Sequence, residues 1–437
     1  MSNTNPIQSL YAKFGKWTNT IIIAPHPITI GNTAEDILFS LLKAKRESKK
    51  VLIIRAYQLP YHLKLPLTNS EIFKLESSLI SQFSGIVNPI LSLILTLYCG
   101  VARALKILFP RLFAGITERQ TIPMLGQMGL WQPSTLSSYD QKTVDQYKWP
   151  FQMSIPVEIK LNRKQWAQAH TNRVEMGLGI NQWFVCLHVR ESGFWNDRHV
   201  SSFRDAEVTN YVDAIKYIVA RGGIVVRLGD PSMKPLPEMK GVIDYPFTHW
   251  KSDLMDLYLI NQCSLYIGMQ SGILDIATLF CRPTVITNMT GWLFNHPMKT
   301  IDRGILKHLY SIEHRRVLSI EEWLYQPWDA VGFQIDQNKF KLYENTSTEI
   351  LMVVQEFFEC DKKMLSKLQI NYNSQRLLAG RKLLSKADIN ADNCSNVYTK
   401  YRVASRLEAA QGTLGNQFLL TNWSESSQLS SNINSKY

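Results

Sequence analysis

The stretch "WFVCLHVRESGF", residues 183 to 194, decides the fold because it starts as a buried strand and ends in charged residues. Side chains alternate between the two faces of a strand, so His188 and Arg190 are predicted to share one face with Phe184. Ligands of open parallel sheets bind beyond the carboxyl ends of the strands. The stretch therefore predicts two cationic side chains at a ligand crevice.

Strand and helix patterns alternate on the carboxyl side of this stretch. Predicted strands are "IVVRLGD" (224–230), "GVIDY" (241–245), "SLYIG" (264–268) and "PTVITN" (283–288), and predicted helices are "DAEVTNYVDAIKYIVARGG" (205–223), "SDLMDLYLINQC" (252–263) and "SGILDIATLF" (271–280). Such alternation is typical of a parallel sheet with helices on both faces. We therefore predict a doubly wound, Rossmann-like α/β lobe.

A second unit of the same kind is predicted near the amino terminus. An apolar strand at 20–24, an amphipathic helix and a second strand at 51–55 form a βαβ pattern, which implies a parallel sheet. Asn32 followed by Glu35 predicts the helix start with a capping box. Capping boxes at Ser319 and Thr346 predict additional helices in the carboxyl-terminal part.

A chain of 437 residues exceeds what one hydrophobic core usually organises, so several domains are expected. The predicted parts are an amino-terminal Rossmann-like lobe at 1–160, a connector helix at 161–180, a carboxyl-terminal Rossmann-like lobe with a helical extension at 181–390, and a partly disordered tail at 391–437. This division predicts two lobes that face a cleft.

The net charge of +12 and the isoelectric point near 9.3 favour anionic partners: a nucleoside diphosphate, phospholipid headgroups or nucleic acid. Nucleic acid is the least favoured partner because the chain has no arginine-rich helix, zinc motif or RNA-binding signature. Six cysteines without a CxxC spacing and a start unlike a signal peptide indicate a cytoplasmic protein.

An uncharged segment at 77–102 is followed by three basic residues, Arg103, Lys106 and Arg111. It predicts a helix, for which three settings are open: the core of the first lobe, an anionic membrane surface, or a transmembrane span. Its serines, Asn88 and Pro89 leave an apolar run short for a span, which needs ~20 apolar residues. An apolar face followed by basic residues is also typical of interfacial helices.

Three strand or helix ends are predicted to meet at one edge of the carboxyl-terminal sheet. Arginine binds phosphate oxygens in a bidentate manner, and a glycine-led helix start offers backbone N–H groups to an anion. We therefore predict a phosphate site, whose residues are His188, Arg190, Arg227, Gly229, Asp230, Gln270, Ser271 and Gly272.

Each of these residues also has a structural interpretation. His188 could be a hydrogen-bonded core histidine, and the Ser-Gly pair could be only a helix cap. Arg190 and Arg227 could form ion pairs with Glu191 and Asp230. The phosphate site is favoured because two arginines at strand ends beside a glycine-led helix are hard to explain by packing alone.

Residues 183–288 resemble the glycosyltransferases of bacterial surface-carbohydrate clusters of the capsule and O-antigen type, and "IGNTAED" (30–36) and "GNQFLLTNW" (415–423) extend the resemblance. This resemblance implies a GT-B-like fold in which the second lobe binds most of a nucleotide-sugar donor. The "HVR" at 188–190 is also similar to the His-x-Arg of the fucosyltransferase superfamily, whose arginine holds the donor diphosphate. That similarity implies the same role, as a catalytic residue, for Arg190.

The resulting prediction is a cytoplasmic glycosyltransferase, peripheral at the inner face of the plasma membrane, that transfers a hexosyl or deoxyhexosyl group to a glycan or lipid-linked glycan. The chain has no Asp-x-Asp, which favours a reaction without metal or cofactor, and GDP is one candidate carrier of the sugar. Candidate bases for the acceptor hydroxyl are His26, Glu35 and Asp36. The alternative is a non-catalytic glycan-binding or scaffold protein.

Overall fold

The computed structural model describes residues 13–25, 29–54, 69–81, 87–112, 157–191, 202–293, 296–331, 335–360, 364–386, 403 and 406–424. Within these ranges the chain forms two α/β units. One is built on a small parallel sheet, and the other on a seven-stranded parallel sheet.

The amino-terminal lobe consists of β1 (Thr20–Ile23), α1 (Ile30–Arg46), β2 (Lys50–Ile53) and α2 (Val87–Leu108). The two strands are parallel, and Ile80 extends the sheet through a parallel bridge to Val51. Ile23 and Val51 pack in the core that contains α1, whereas Leu52 packs with α2. This layering confirms the predicted βαβ unit and places a helix on each face of its sheet.

The predicted start of α1 is wrong by three residues. The helix begins at Ile30 with Thr29 as its N-cap residue, so Asn32 and Glu35 lie inside the first turns and form no capping box. Glu35 is 3% exposed and its carboxylate binds Arg406. A buried ion pair has replaced the helix cap that the local sequence suggested.

The carboxyl-terminal lobe follows the predicted alternation closely. Its elements are α3 (Arg163–Glu175), β3 (Phe184–His188), α4 (Val212–Ala220), β4 (Ile224–Arg227), β5 (Val242–Asp244), α5 (Asp253–Gln262), β6 (Leu265–Gly268), α6 (Gly272–Leu279), β7 (Thr284–Met289) and β8 (Arg303–Leu306). All pairings among these strands are parallel. The predicted α/β fold is confirmed, with a doubly wound, Rossmann-like parallel sheet in this lobe and a parallel βαβ unit in the amino-terminal lobe.

The strand order of the large sheet defines where a ligand would bind. β3 is an interior strand, with β4 and β5 on one side and β6, β7 and β8 on the other. The order therefore reverses between β3 and β6. In doubly wound sheets, the crevice beyond the carboxyl ends of the strands at such a switch point is the usual ligand site.

The remaining part is less helical than predicted. Its elements are β9 (His308–Ser311), β10 (Arg316–Val317), α7 (Ile320–Leu324), α8 (Trp328–Val331), β11 (Phe340–Tyr343), α9 (Ser347–Glu359), α10 (Lys367–Lys386), β12 (Thr413–Leu414) and α11 (Asn416–Asn422). The capping boxes at Ser319 and Thr346 are present. The antiparallel sheet β10-β9-β11 was not predicted, and neither was the pairing of β12 with β8 in the large sheet.

The two lobes touch where α1 lies against α6. A Cβ atom built on Gly31 would be 2.7 Å from the Gly272 Cα, and one built on Gly272 would be 3.0 Å from the Gly31 nitrogen. Real Cβ atoms essentially never lie as close to backbone as 2.7 Å, and a distance of 3.0 Å is unusually tight, so the contact as it stands depends on Gly31 and is favoured by Gly272. It brings the amino-terminal ends of the two helices together at the switch point.

Candidate functional site

The switch point between β3 and β6 brings His188 next to Ser271. The strand register pairs His188 with Gly268, and the chain then leads from β6 through Ser271 into α6. The His188 Nδ1 and Ser271 Oγ atoms are 3.3 Å apart, a hydrogen bond whose donor depends on the histidine tautomer. Burial, together with the positive charges of Arg227 and Arg190, lowers the pKa of His188 to about 4. The histidine is thus a neutral hydrogen-bonding group at pH 7, and not the cation that the sequence suggested.

The start of α6 has the features of an anion site. The first N–H groups of a helix have no intrahelical acceptor, and the helix dipole adds a partial positive charge at this end. Ser271 is the N-cap residue, but its side chain makes no capping hydrogen bond. The amino-terminal end of α1 lies beside it through the contact of Gly31 with Gly272. Two helix ends of the same polarity therefore point to one region.

Arg190 has a different set of neighbours from His188. β3 ends at His188, so Arg190 lies two residues beyond the end of the strand. The Arg190 guanidinium forms an ion pair with Asp205 and is 11% exposed. Lys307, which follows β8, donates from Nζ to the backbone oxygen of Asp205 at 2.5 Å. Asp205 therefore connects two cations at the carboxyl edge of the sheet.

The pKa of Lys307 is lowered in this cluster. Its side chain is buried, and burial lowers the pKa of the amine to about 8, although the nearby carboxylates of Glu344 and Asp205 act to raise it. The positive charge of Arg190 lowers the pKa further. An additional anion nearby would raise this pKa and favour the charged amine.

Arg227 is held inside the protein rather than at the crevice. Its side chain is fully buried and donates to Glu191 at 3.0 Å, to Asp244 at 3.2 Å and to the Lys234 backbone oxygen at 2.6 Å. Arg227 therefore forms structural ion pairs, as the alternative interpretation of the sequence suggested, but its aspartate partner is Asp244 and not Asp230. A diphosphate could reach this guanidinium only by displacing two carboxylates, so we withdraw Arg227 from the donor contacts.

Gly229 and Asp230 form the turn after β4. Gly229 has φ of +151°, and a Cβ atom there would be 2.2 Å from the Met233 sulfur. Asp230 accepts a hydrogen bond from the Ser232 backbone N–H at 2.9 Å. Both residues thus have a local role in shaping the loop, and Asp230 remains partly exposed.

Gln270 positions the loop after β7. Its Oε1 accepts from the Thr290 N–H at 2.8 Å, and its Nε2 donates to the Gly291 oxygen at 3.2 Å. Its own backbone oxygen accepts from Arg204 at 2.6 Å. Gln270 therefore fixes the shape of the site, and brings a half-buried arginine beside the start of α6.

The candidate bases of the amino-terminal lobe are not placed for that role. Glu35 and Asp36 are 3% and 2% exposed, which gives an acceptor no access to either carboxylate. Glu35 binds Arg406 at 2.5 Å, and Arg406 is 3.8 Å from Asp275 on α6. We withdraw both acidic residues as bases, whereas His26 lies outside the described residues.

A small pocket lies between the two lobes beside this charged group. Apolar side chains from α1 and α6, including Leu38 and Leu274, form one part of its wall, and Glu35, Asp275 and Arg406 form another. Burial raises the pKa of Asp275 to about 6, an effect that the Arg406 charge partly offsets. Within the described ranges, no three His, Cys, Asp or Glu side chains are grouped so that they could hold a metal ion.

The sequence interpretation missed four charged residues of this region: Arg204, Asp205, Lys307 and Arg406. Lys307 could have been found, because it lies at the carboxyl end of a buried strand, as Arg190 and Arg227 do. Arg406 had no such signal, since its partner Glu35 is 371 residues away in the chain.

The chain matches no protein-family model and no curated protein. It is similar to the solved structure of a glycosyl transferase family 9 protein from Veillonella parvula, with 13% identity, TM-score 0.35, and coverage of 61% of this chain and 80% of that one. It is also similar to the E. coli ADP-heptose LPS heptosyltransferase II, with 12% identity, TM-score 0.31, and coverage of 61% and 84%.

A third similar structure is the UDP-GlcNAc 2-epimerase of Methanocaldococcus jannaschii, with 12% identity, TM-score 0.21, and coverage of 64% of both chains. All these TM-scores are below 0.5. The description of the fold therefore rests on the strand order and the layering of the chain itself.

Proposed function

We propose that the protein is a glycosyltransferase that takes a sugar from a nucleotide-sugar donor and transfers it to a glycan or lipid-linked glycan. The observation that supports this most strongly is the start of α6 at the switch point of the large sheet, where Ser271 leaves the first N–H groups uncapped by its side chain. Phosphate groups are among the anions that a helix start binds, so a diphosphate fits this position. The donor would then lie between the lobes, beside the start of α1.

The bound donor would meet three kinds of polar group. Backbone N–H groups at Gly272 and Ile273 would donate to a phosphate oxygen, with Ser271 Oγ beside them and neutral His188 orienting that hydroxyl. Arg204, which contacts the Gln270 backbone oxygen, and Arg190 would supply positive charge near the start of α6. Arg190 forms an ion pair with Asp205, so a bound donor phosphate would replace Asp205 as its anionic partner.

These groups also suit the chemical step. When the bond between the anomeric carbon and the diphosphate breaks, negative charge grows on the leaving phosphate, where fixed cations and helix dipoles stabilise it. The acceptor hydroxyl attacks that carbon and loses its proton to a base if the anomeric configuration inverts. His26, which follows β1, is the remaining candidate base from the amino-terminal lobe.

Thermal shift with GDP, UDP, dTDP and CMP tests the donor site directly. A nucleotide at 100 times its dissociation constant should stabilise the folded protein by about 2.7 kcal/mol. Arg190→Ala should then weaken the binding of that nucleotide by roughly 1.5–3 kcal/mol, because a charged hydrogen bond to phosphate is lost.

Asp205→Asn is the matched control for this variant. It breaks the same ion pair but leaves the guanidinium in place, so nucleotide affinity should stay equal or increase. If both variants lose thermal stability and neither changes nucleotide affinity, Arg190 is only structural. If none of the four nucleotides stabilises the wild-type protein, the non-catalytic alternative replaces the proposed transferase.

Sugar transfer is expected to continue in EDTA. A divalent metal would be needed to neutralise the diphosphate, but cationic side chains and a helix start are proposed to do this here, and a metal beside two guanidinium groups would be repelled. Turnover of the identified donor is measured with and without chelator and after magnesium or manganese is restored. Activity that chelation abolishes and either ion restores would refute the metal-independent mechanism.

A further inference from the structure

The helix α2 presents an apolar stripe to solvent. Seven large apolar side chains of this helix are at least 38% exposed: Ile90, Leu93, Ile94, Leu97, Val101, Ile107 and Leu108. All except Ile107 are separated along the helix by steps of three, four or seven residues. Residues with these separations lie on one side of a helix. From Ile90 to Leu108 the stripe is roughly 27 Å long, at 1.5 Å per residue. Exposed apolar surface on this scale indicates an interaction site.

The opposite side of α2 is fixed to the amino-terminal lobe. Leu95 and Cys99 are at most 4% exposed and pack with Leu52 and Ile54. Asn88 Nδ2 also donates to the Ile53 backbone oxygen at 3.0 Å. By length and composition, α2 is the one helix among the described residues that could cross a bilayer. A span would uncover the face of the sheet that α2 protects, so a helix lying along a surface fits these contacts better.

The surroundings of the stripe are basic and include an exposed tryptophan. Residues 13–18 and 87–112 contain three lysines, two arginines and no Asp or Glu. The helical residues 13–18 lie on the same side of the small sheet as α2, because a Cβ atom on Gly15 would be 3.9 Å from the Ile22 side chain, which packs with α2. In this segment Trp17 is 81% exposed and Lys13 and Lys16 are also exposed. Tryptophan and lysine are the usual residues at the boundary between lipid and water.

We propose that α2 and residues 13–18 form a docking face for an anionic lipid bilayer, with the stripe immersed in the interface and the lysines at the headgroups. The occupant is a lipid surface because a neutral apolar partner would leave the lysines without anions, whereas anionic headgroups complement them. This inference is independent of sugar transfer. If transfer is also correct, the docking face belongs to the lobe that would receive a lipid-linked acceptor.

Sedimentation of the full-length protein with vesicles tests the docking face. The protein should pellet with phosphatidylcholine vesicles that contain about one quarter phosphatidylglycerol, and pellet less with pure phosphatidylcholine or at high salt. The double variant Leu93→Glu/Leu97→Glu should weaken partition into anionic vesicles at least about tenfold. Leu378→Glu on α10 is the matched control, since Leu378 is as exposed as Leu93, at 58%, and should bind as the wild type does.

A second variant tests the proposal even if the first variant does not fold. Lys13→Glu/Lys16→Glu changes only exposed side chains, and should remove most of the salt-sensitive binding while the circular dichroism spectrum stays unchanged. Wild-type protein that stays in the supernatant with anionic vesicles overturns the proposal. So does a dimer, found by analytical ultracentrifugation, that the Leu93→Glu/Leu97→Glu variant dissociates, because the stripe would then bind a second copy of the chain.

Discussion

Replacing Arg227 with methionine is expected to lower the free energy of unfolding by about 3–5 kcal/mol. The guanidinium is fully buried and is shared by Glu191 and Asp244. Methionine fills a similar volume but leaves two carboxylates near each other without their cation. The cost of such an uncompensated charge is larger than the net contribution of an intact ion pair, so the single substitution has a large effect.

Urea unfolding at pH 7.5 measures this effect. The triple variant Arg227→Met/Glu191→Gln/Asp244→Asn is the control, and it should recover part of the loss because both unpaired charges are gone. Nucleotide affinity of the folded single variant should equal that of the wild type. A loss of stability below about 1 kcal/mol, together with lost nucleotide affinity, would return Arg227 to the donor site.

Replacing Arg406 with methionine should have a stability cost of similar size, about 3–5 kcal/mol at pH 8. Arg406 is 7% exposed and lies between buried Glu35 of α1 and half-buried Asp275 of α6, so its loss leaves two carboxylates without their cation where the lobes touch. Asp275 already has a pKa raised to about 6 by burial, even with the arginine present. Without the arginine that pKa should rise further.

The sign of the pH dependence follows from this shift. In the unfolded chain an aspartate has a pKa near 3.9, whereas folded Asp275 holds its proton to a higher pH. The contribution of Asp275 to the free energy of unfolding therefore falls as the pH rises from about 4 to above 6. The loss of stability caused by Arg406→Met should accordingly be smaller at pH 5 than at pH 8. Arg406→Met/Asp275→Asn should show less of this dependence. Equal costs at both pH values would contradict the proposed role of the buried carboxylates.

The sequence predicted the second lobe well because its signals are local. Each core strand is a short apolar run beside a helix with apolar residues on one side, and such runs give the same result in most tertiary contexts. The ends of these strands were also predictable to within three residues. This is why His188 and Ser271 could be expected at one edge of the sheet before any contact was known.

The sequence failed where a long-range contact determines the outcome. Glu35 has the spacing of a capping box, but the buried side of α1 requires its carboxylate for Arg406. Arg227 has the position of a phosphate ligand, but Glu191 and Asp244 enclose it. β12 is a two-residue strand that exists only through its pairing with β8. Neither the hydrophobic periodicity of a segment nor its secondary-structure propensity can predict such distant partners.

The ion pair between Glu35 and Arg406 has a consequence for biosynthesis. Synthesis proceeds from the amino terminus, so α1 leaves the ribosome before the guanidinium that neutralises its buried carboxylate exists, 371 residues later. The edge strand β12 is also made after the other six strands of its sheet. We expect that each lobe can begin to fold during translation, whereas the ion pair at their junction forms only after Arg406 has been made. Closure of such a distant contact slows folding, and the unfinished junction remains exposed to chaperones and proteases during that interval.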